Sequence, residues 1–306
     1  MGTRIYYGVH VPSLDITQVA AFEADAQKPV AILMWYQQWG MTDGSQYFQP
    51  AWMSEVRAHG SIPLVTWEPW DPSKGVDQPS YSLEQIINGS FDPYIAKWAQ
   101  DSKGWGHPYF LRFAQEMNGN WYPWAEQVNG NAAGQFALAW KHVYSIFMAQ
   151  GINNVTWVWS PNIDYPGSTP LGELYPGDAS VDWVGMDGYN WGTVGGHVWQ
   201  TYSSIFQPTY TEILEMTSKP VMIAEMASAE QGGNKASWIT DAFTTQLPEN
   251  FPSIRAVIWF NENKETDWRI ESSQAAQNAF ATSIQSTIYA SNNYASLETS
   301  PIPPPQ

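Results

Sequence analysis

What most constrains this chain is a repeated alternation. Eight times, a short apolar, β-branched and aromatic run is followed by a polar loop and a stretch with helical spacing. The runs span residues 5–11, 30–36, 62–67, 108–115, 155–160, 183–189, 221–225 and 256–261. Nearly continuous apolar strands alternating with helices call for a parallel sheet covered by helices, and eight units in one chain favour closure into a single (β/α)8 barrel. The 306 residues suffice for one such barrel. An open doubly wound sheet is the alternative, but no G-x-G-x-x-G follows the first run.

Between the runs, Asp15 with Gln18 and Ser82 with Gln85 have capping-box spacing. Phe136, Trp140, Val143 and Phe147 share one helical face, and Pro208 is expected to kink or split the sixth helical stretch. No internal linker divides the chain, so residues 1–285 read as one (β/α)8 domain. Residues 286–306 read as a Pro-rich tail, either a linker to an appended module or a frayed end.

Composition narrows the function. With 29 Asp+Glu against 13 Lys+Arg and a net charge of -16, the basic footprint of a nucleic-acid binder is missing. There is no Cys, and the 5 His are scattered. No apolar stretch is long enough to cross a bilayer, and the start lacks the zones of a signal peptide. The 18 Trp and 16 Tyr exceed what an ordinary core needs and imply that aromatic faces are used.

In an α/β barrel the reactive groups come from the C-terminal ends of strands. Glu116 ends the fourth run and Glu225 the seventh. Hydrolysis of a glycosidic bond needs one carboxyl to protonate the leaving oxygen and a second to attack the anomeric carbon or activate water there; a retaining pair lies roughly 5–5.5 Å apart. The bland alternative is a buried ion pair, Arg112 with Glu116 for instance. Arg112, Asp187, Tyr189, Trp67, Trp259 and Asn261 also lie near strand ends and are candidates to line the cavity. Trp67 and Trp259 are the right kind of residue to stack on sugar rings, although for any single Trp core packing is the commoner role. Glu68 and Glu262 are rival carboxylates placed in loops, where solvated or ion-pairing roles are commoner. A metal held by His10, Asp187 and Glu225 lacks any close-spaced ligand pair, so neither metal nor cofactor is expected.

From about Tyr6 to Phe280 the chain resembles glycoside hydrolase family 26, retaining endo-glycanases with barrel catalytic domains. The most specific likeness is Arg112-Phe113-Ala114-Gln115-Glu116-Met117-Asn118-Gly119-Asn120-Trp121-Tyr122-Pro123-Trp124, similar to the family's acid/base segment. Lys219-Pro220-Val221-Met222-Ile223-Ala224-Glu225 is similar to its nucleophile strand. The resemblance implies Glu116 as acid/base and Glu225 as nucleophile, with Tyr189 and Asp187 supporting the nucleophile and Trp259 flooring the subsite of the reacting sugar. Arg112, Gln115, Trp121 and Trp67 complete the expected substrate-binding set. Gln115 departs from the family's usual His; an amide hydrogen-bonds but cannot change charge.

The Pro-interrupted aromatic run at residues 121–124 and the segment 263–270 look more like the branch that includes a mixed-linkage glucanase than like the mannanases. The expected substrate is therefore β-1,3-1,4-glucan, with β-1,4-mannan as the alternative. A non-catalytic polysaccharide-binding protein is the reading from another class. A phosphate-handling barrel would need a basic cradle after the last two runs, and those segments are acidic. Polymeric substrate and linker-like tail together suggest an extracellular location; a monomer is expected, and oligomerisation has no sequence signature here.

Overall fold

The computed structural model describes residues 4–13, 15–294 and 296–306. Eight parallel strands close into a barrel: β1 (Ile5–His10), β2 (Ile32–Gln38), β3 (Ile62–Glu68), β4 (Tyr109–Phe113), β5 (Val155–Trp159), β6 (Trp183–Asn190), β7 (Val221–Ser228) and β8 (Ile254–Phe260). Each pairs with its successor, and β1 joins β8 to β2. A two-residue strand, β9 (Tyr289–Ala290), pairs with the start of β1.

Side-chain alternation sets up two cores. One residue of each pair points into the barrel, where Tyr6, Ile32, Met34, Ile62, Leu64, Phe110, Val158, Trp183, Met222, Ala256 and Ile258 form one apolar cluster. Its alternate, such as Val65, Leu111, Trp157 or Val257, joins a larger cluster beneath the surrounding helices. Those helices include α1 (Ile16–Ala26), α2 (Pro50–His59), α3 (Leu83–Ile87), α4 (Asp92–Trp105), α5 (Gln135–Ala149), α6 (Leu171–Leu174), α7 (Tyr202–Met216), α8 (Lys235–Asp241) and α9 (Gln274–Ser283). None of the described helices is long and apolar enough to cross a membrane. In α5 the expected face of Phe136, Trp140, Val143 and Phe147 is buried.

Three local expectations are revised. Asp15 caps α1 by accepting from Thr17 N at 2.8 Å, whereas Ser82 precedes α3 without a side-chain cap. Pro208 sits inside an unbroken α7: one absent N–H is outweighed by the buried face that Tyr202, Ile205, Phe206, Thr209, Tyr210 and Ile213 present on both sides of it. Finally, residues 296–306 lie against the barrel's N-terminal end instead of extending as a free tail. Ile302 is 1% exposed and joins the interior cluster. Its N–H donates to Thr156 Oγ1 (2.8 Å), and its carbonyl accepts from Trp183 Nε1 (2.8 Å).

Candidate active site

At the opposite, C-terminal end of the barrel lies a cavity of about 1060 Å³, lined by Glu116, Glu225, Glu68, Tyr36, Tyr189, Trp121 and further aromatic and polar residues. Two backbone irregularities aim the first two carboxylates into it. On leaving β4, Ala114 (φ 48°) and Glu116 (φ 55°) both take the left-handed conformation, uncommon for residues with a Cβ. The turn is held by Glu116 N donating to Ser160 O (2.7 Å) and by Trp124 Nε1 donating to Gln115 O (2.7 Å). Asn118 clips the following loop, with its amide bonded both ways to the backbone of Asn162 at 2.9 Å.

Within β7 a bulge does the same work. Met186 of β6 pairs with Ile223 and Asp187 with Glu225, so Ala224 is an extra residue. Ala224 faces inward, and strict alternation would turn Glu225 toward the helices; the bulge restores it to the inward phase of Asp187. Gly185, one inward position below, keeps the approach open: a Cβ there would lie 2.4 Å from Ser160 Oγ, which donates to Asp187 Oδ1 at 3.2 Å.

Beneath the cavity floor Arg112, inaccessible to solvent, donates to Asp187 Oδ2 through Nη2 and to Glu225 Oε1 through Nη1 (2.7 Å). It thus pairs with Glu225 and Asp187, not with Glu116. Glu225 also accepts from Tyr36 (2.6 Å) and Tyr189 (2.5 Å). Burial pushes its carboxyl up, but the Arg112 charge and the bonds from Tyr189, Tyr36 and Arg112 outweigh it and hold Glu225 below the ordinary value. Among the described residues Glu116 accepts one side-chain bond, from Trp121 Nε1 at 2.7 Å. Burial, then the charge of Glu225, pushes it up to about 7. Oxygens of Glu116, Asp187 and Glu225 approach within 4.8 Å of one another. His10, considered with Asp187 and Glu225 as a ligand group, instead turns its Nε2 toward Glu262 Oε2 (3.3 Å). Such an arrangement can keep one carboxyl protonated beside an ionised neighbour at neutral pH.

The remaining candidates divide. Trp121, Tyr189, Glu116 and Glu225 line the cavity, while Arg112, Gln115 and Asp187 lie buried around it. Trp67 and Trp259 do not reach it. Both occupy outward positions of their strands: Trp67 packs against Trp39 and Trp98, each at 4.8 Å, with Nε1 on Tyr94 OH, and Trp259 packs on Phe280 at 5.3 Å, with Nε1 on the carbonyl of Trp268. Their inward neighbours Glu68 and Phe260 line the cavity instead. Glu68 is thus no solvated loop residue: it ends β3 at 2% exposure.

Residues that sequence reasoning passed over include Tyr36, which ends the second apolar run and could have been found by the strand-end rule. Trp70 and Trp191 sit in loops, where no period marks them, and so do Tyr122 and Trp268, singled out only as parts of the segments 121–124 and 263–270. They form two aromatic walls: Trp70 edge-on to Tyr122 (5.4 Å) on one side, Trp268 edge-on to Trp191 (4.9 Å) on the other.

Comparison with known proteins agrees with this geometry. The sequence profile of Glycosyl hydrolase family 26 matches residues 20–284. Endoglucanase H of Acetivibrio thermocellus is 42% identical over 236 residues, 75% of this chain and 25% of that protein. A mannan endo-1,4-beta-mannosidase of Bacillus subtilis is 30% identical over 100 residues, 31% of this chain and 27% of that protein. The chain therefore spans about a quarter of the length of these relatives. In fold it is similar to a GH26 beta-mannanase from Bacteroides ovatus, with a TM-score of 0.67 at 16% identity over 94% of this chain and 90% of the other. With a matching profile over most of its length, this chain belongs to glycosyl hydrolase family 26.

Proposed function

We propose that the chain is a retaining endo-β-glycanase acting on mixed-linkage β-1,3-1,4-glucan, with Glu225 as nucleophile and Glu116 as acid/base. The observation that carries this reading is the unequal pair: Glu225 held ionised by Arg112 and two tyrosines, Glu116 raised to about 7 beside it. Glu225 attacks the anomeric carbon while Glu116 gives its proton to the departing glycosidic oxygen. Water then attacks the glycosyl-enzyme, losing its proton to Glu116 and releasing Glu225. Oxygens within 4.8 Å suit direct attack; an inverting pair needs about 6.5–9.5 Å to admit a water. The reaction uses two carboxyls and water and needs no cofactor.

The 42% identity to an endoglucanase over three quarters of the chain supports glucan over mannan. The test is reducing-sugar release, side by side, from barley mixed-linkage glucan, lichenan, galactomannan and glucomannan, with Glu116→Ala as control. The mixed-linkage glucans should be cleaved and the mannans spared; cleavage of mannan would move the same chemistry to that polymer. Polysaccharide binding without turnover would overturn the enzymatic reading. As part of the same reading, the chain works outside the cell, where such polymers lie, as a monomer.

A further inference from the structure

Among the described residues that line the cavity, Asp164, Glu262 and Glu265 are more exposed, and Glu68 is the buried carboxylate that the double displacement leaves unused. It ends β3 between the ends of β2 and β4, 2% exposed. Its Oε2 accepts from Gln38 Nε2 (2.7 Å) and Trp70 Nε1 (3.2 Å), and its Oε1 from Gln115 Nε2 (2.6 Å). All three donors are neutral, so nothing in this set compensates the charge. Burial pushes the carboxyl up, while the bonds from Gln115, Gln38 and Trp70 act against it. Three N–H groups converging on one side chain demand an acceptor, and a carboxylate supplies acceptors only. A core position would be filled more cheaply by an apolar residue.

A carboxylate has about four acceptor places, of which three are taken. The fourth belongs to Oε1, on a residue that lines the cavity together with Trp70 and Tyr122. Because Glu68 cannot donate, it also dictates that Gln115 turns its NH2 toward it. Gln115 Oε1 is consequently a buried acceptor without a partner among the described residues. Flat aromatic faces beside a spare carboxylate acceptor are what a sugar ring with a free hydroxyl requires.

We propose that Glu68 is a substrate-binding, specificity-determining residue whose Oε1 accepts a hydrogen bond from one sugar hydroxyl of the bound chain, with Gln38, Gln115 and Trp70 holding it in place. The assignment rests on the reading that the cavity binds a glucan.

The test is calorimetric binding of a mixed-linkage tetrasaccharide to the Glu225→Gln chain, with and without Glu68→Ala or Glu68→Gln. The amide is included because it keeps the shape if the alanine variant folds poorly. Loss of a hydrogen bond to a charged acceptor should weaken binding by about 10- to 100-fold. Tetrasaccharides lacking one hydroxyl each identify the partner: one of them should bind Glu225→Gln more weakly than the parent sugar, yet lose nothing further once Glu68 is replaced. Unchanged affinity in both Glu68 variants, or deoxy penalties that are the same with and without Glu68, would overturn the assignment. Failure of the functional reading looks different: the wild-type chain would release no sugar from the glucan, and Glu225→Gln would not bind the tetrasaccharide.

Discussion

Glu116 and Glu225 share one side-chain chemistry and are separated by their surroundings alone. Glu225 rests on a guanidinium and two phenols; Glu116 has a single indole N–H and faces the charge of its neighbour. The state that the proposed double displacement requires, Glu116 protonated and Glu225 ionised, therefore persists from below Glu225's ordinary value up to about pH 7. The profile of kcat/KM should be bell-shaped, with its alkaline limb near pH 7 and its acid limb below pH ~4.5. Replacing Glu225 by Gln removes the second cause of the Glu116 shift, so the Glu116 carboxyl should titrate lower in that variant, as carbonyl-labelled NMR would report. Stability carries the opposite sign. A carboxyl raised in the folded state destabilises the fold increasingly as pH rises from its unfolded value to its folded one. Glu116→Gln should accordingly melt higher than wild type at pH 8 and lose most of that advantage at pH 4; an equal advantage at both pH values would contradict the burial account. Arg112→Ala strands two buried carboxylates and should cost about 3–5 kcal/mol in urea unfolding at pH 7.

Among the elements, strand period decides which residues of an apolar run are functional. Alternation sends Trp67 and Trp259 to the helices and Glu68 and Phe260 to the cavity. Trp67→Ala and Trp259→Ala should each lower stability by about 3–5 kcal/mol, read by chemical denaturation, while leaving KM for glucan near the wild-type value. A raised KM with unchanged stability would mean that these rings contact sugar after all. The eight runs were legible because parallel strands buried on both faces are apolar throughout, and the same property hid which face each residue takes. The strand-end rule located both catalytic candidates, yet β7 continues to Ser228 and brings Glu225 inward only through the Ala224 bulge. A bulge leaves no trace in hydrophobic period. Nor do the loop aromatics Trp70, Tyr122, Trp191 and Trp268, whose convergence is a property of the closed barrel.

Over the whole molecule, the two ends of the barrel are finished differently. The C-terminal end stays open as a sugar-sized cavity, while the N-terminal end is covered by the closing segment, with Ile302 seated on the interior cluster. Tyr6 OH, Arg255 and Arg4 bond the carbonyls of Pro303, Pro305 and Gln306. Composition made this segment look extended because its apolar residues are few; their partner is the open end of a barrel, which only tertiary structure supplies. Ile302→Ala should destabilise the fold by about 2–5 kcal/mol in urea unfolding without changing the pH profile of hydrolysis. Loss of activity without loss of stability would instead tie that end to the site.

Double displacement at Glu225 is tested most directly by proton NMR of the first anomer released from barley mixed-linkage glucan. The β-anomer should appear first and mutarotate afterwards, with no product from Glu225→Gln over the same interval. An α-anomer first, or product formed at the wild-type rate by Glu225→Gln, would contradict it.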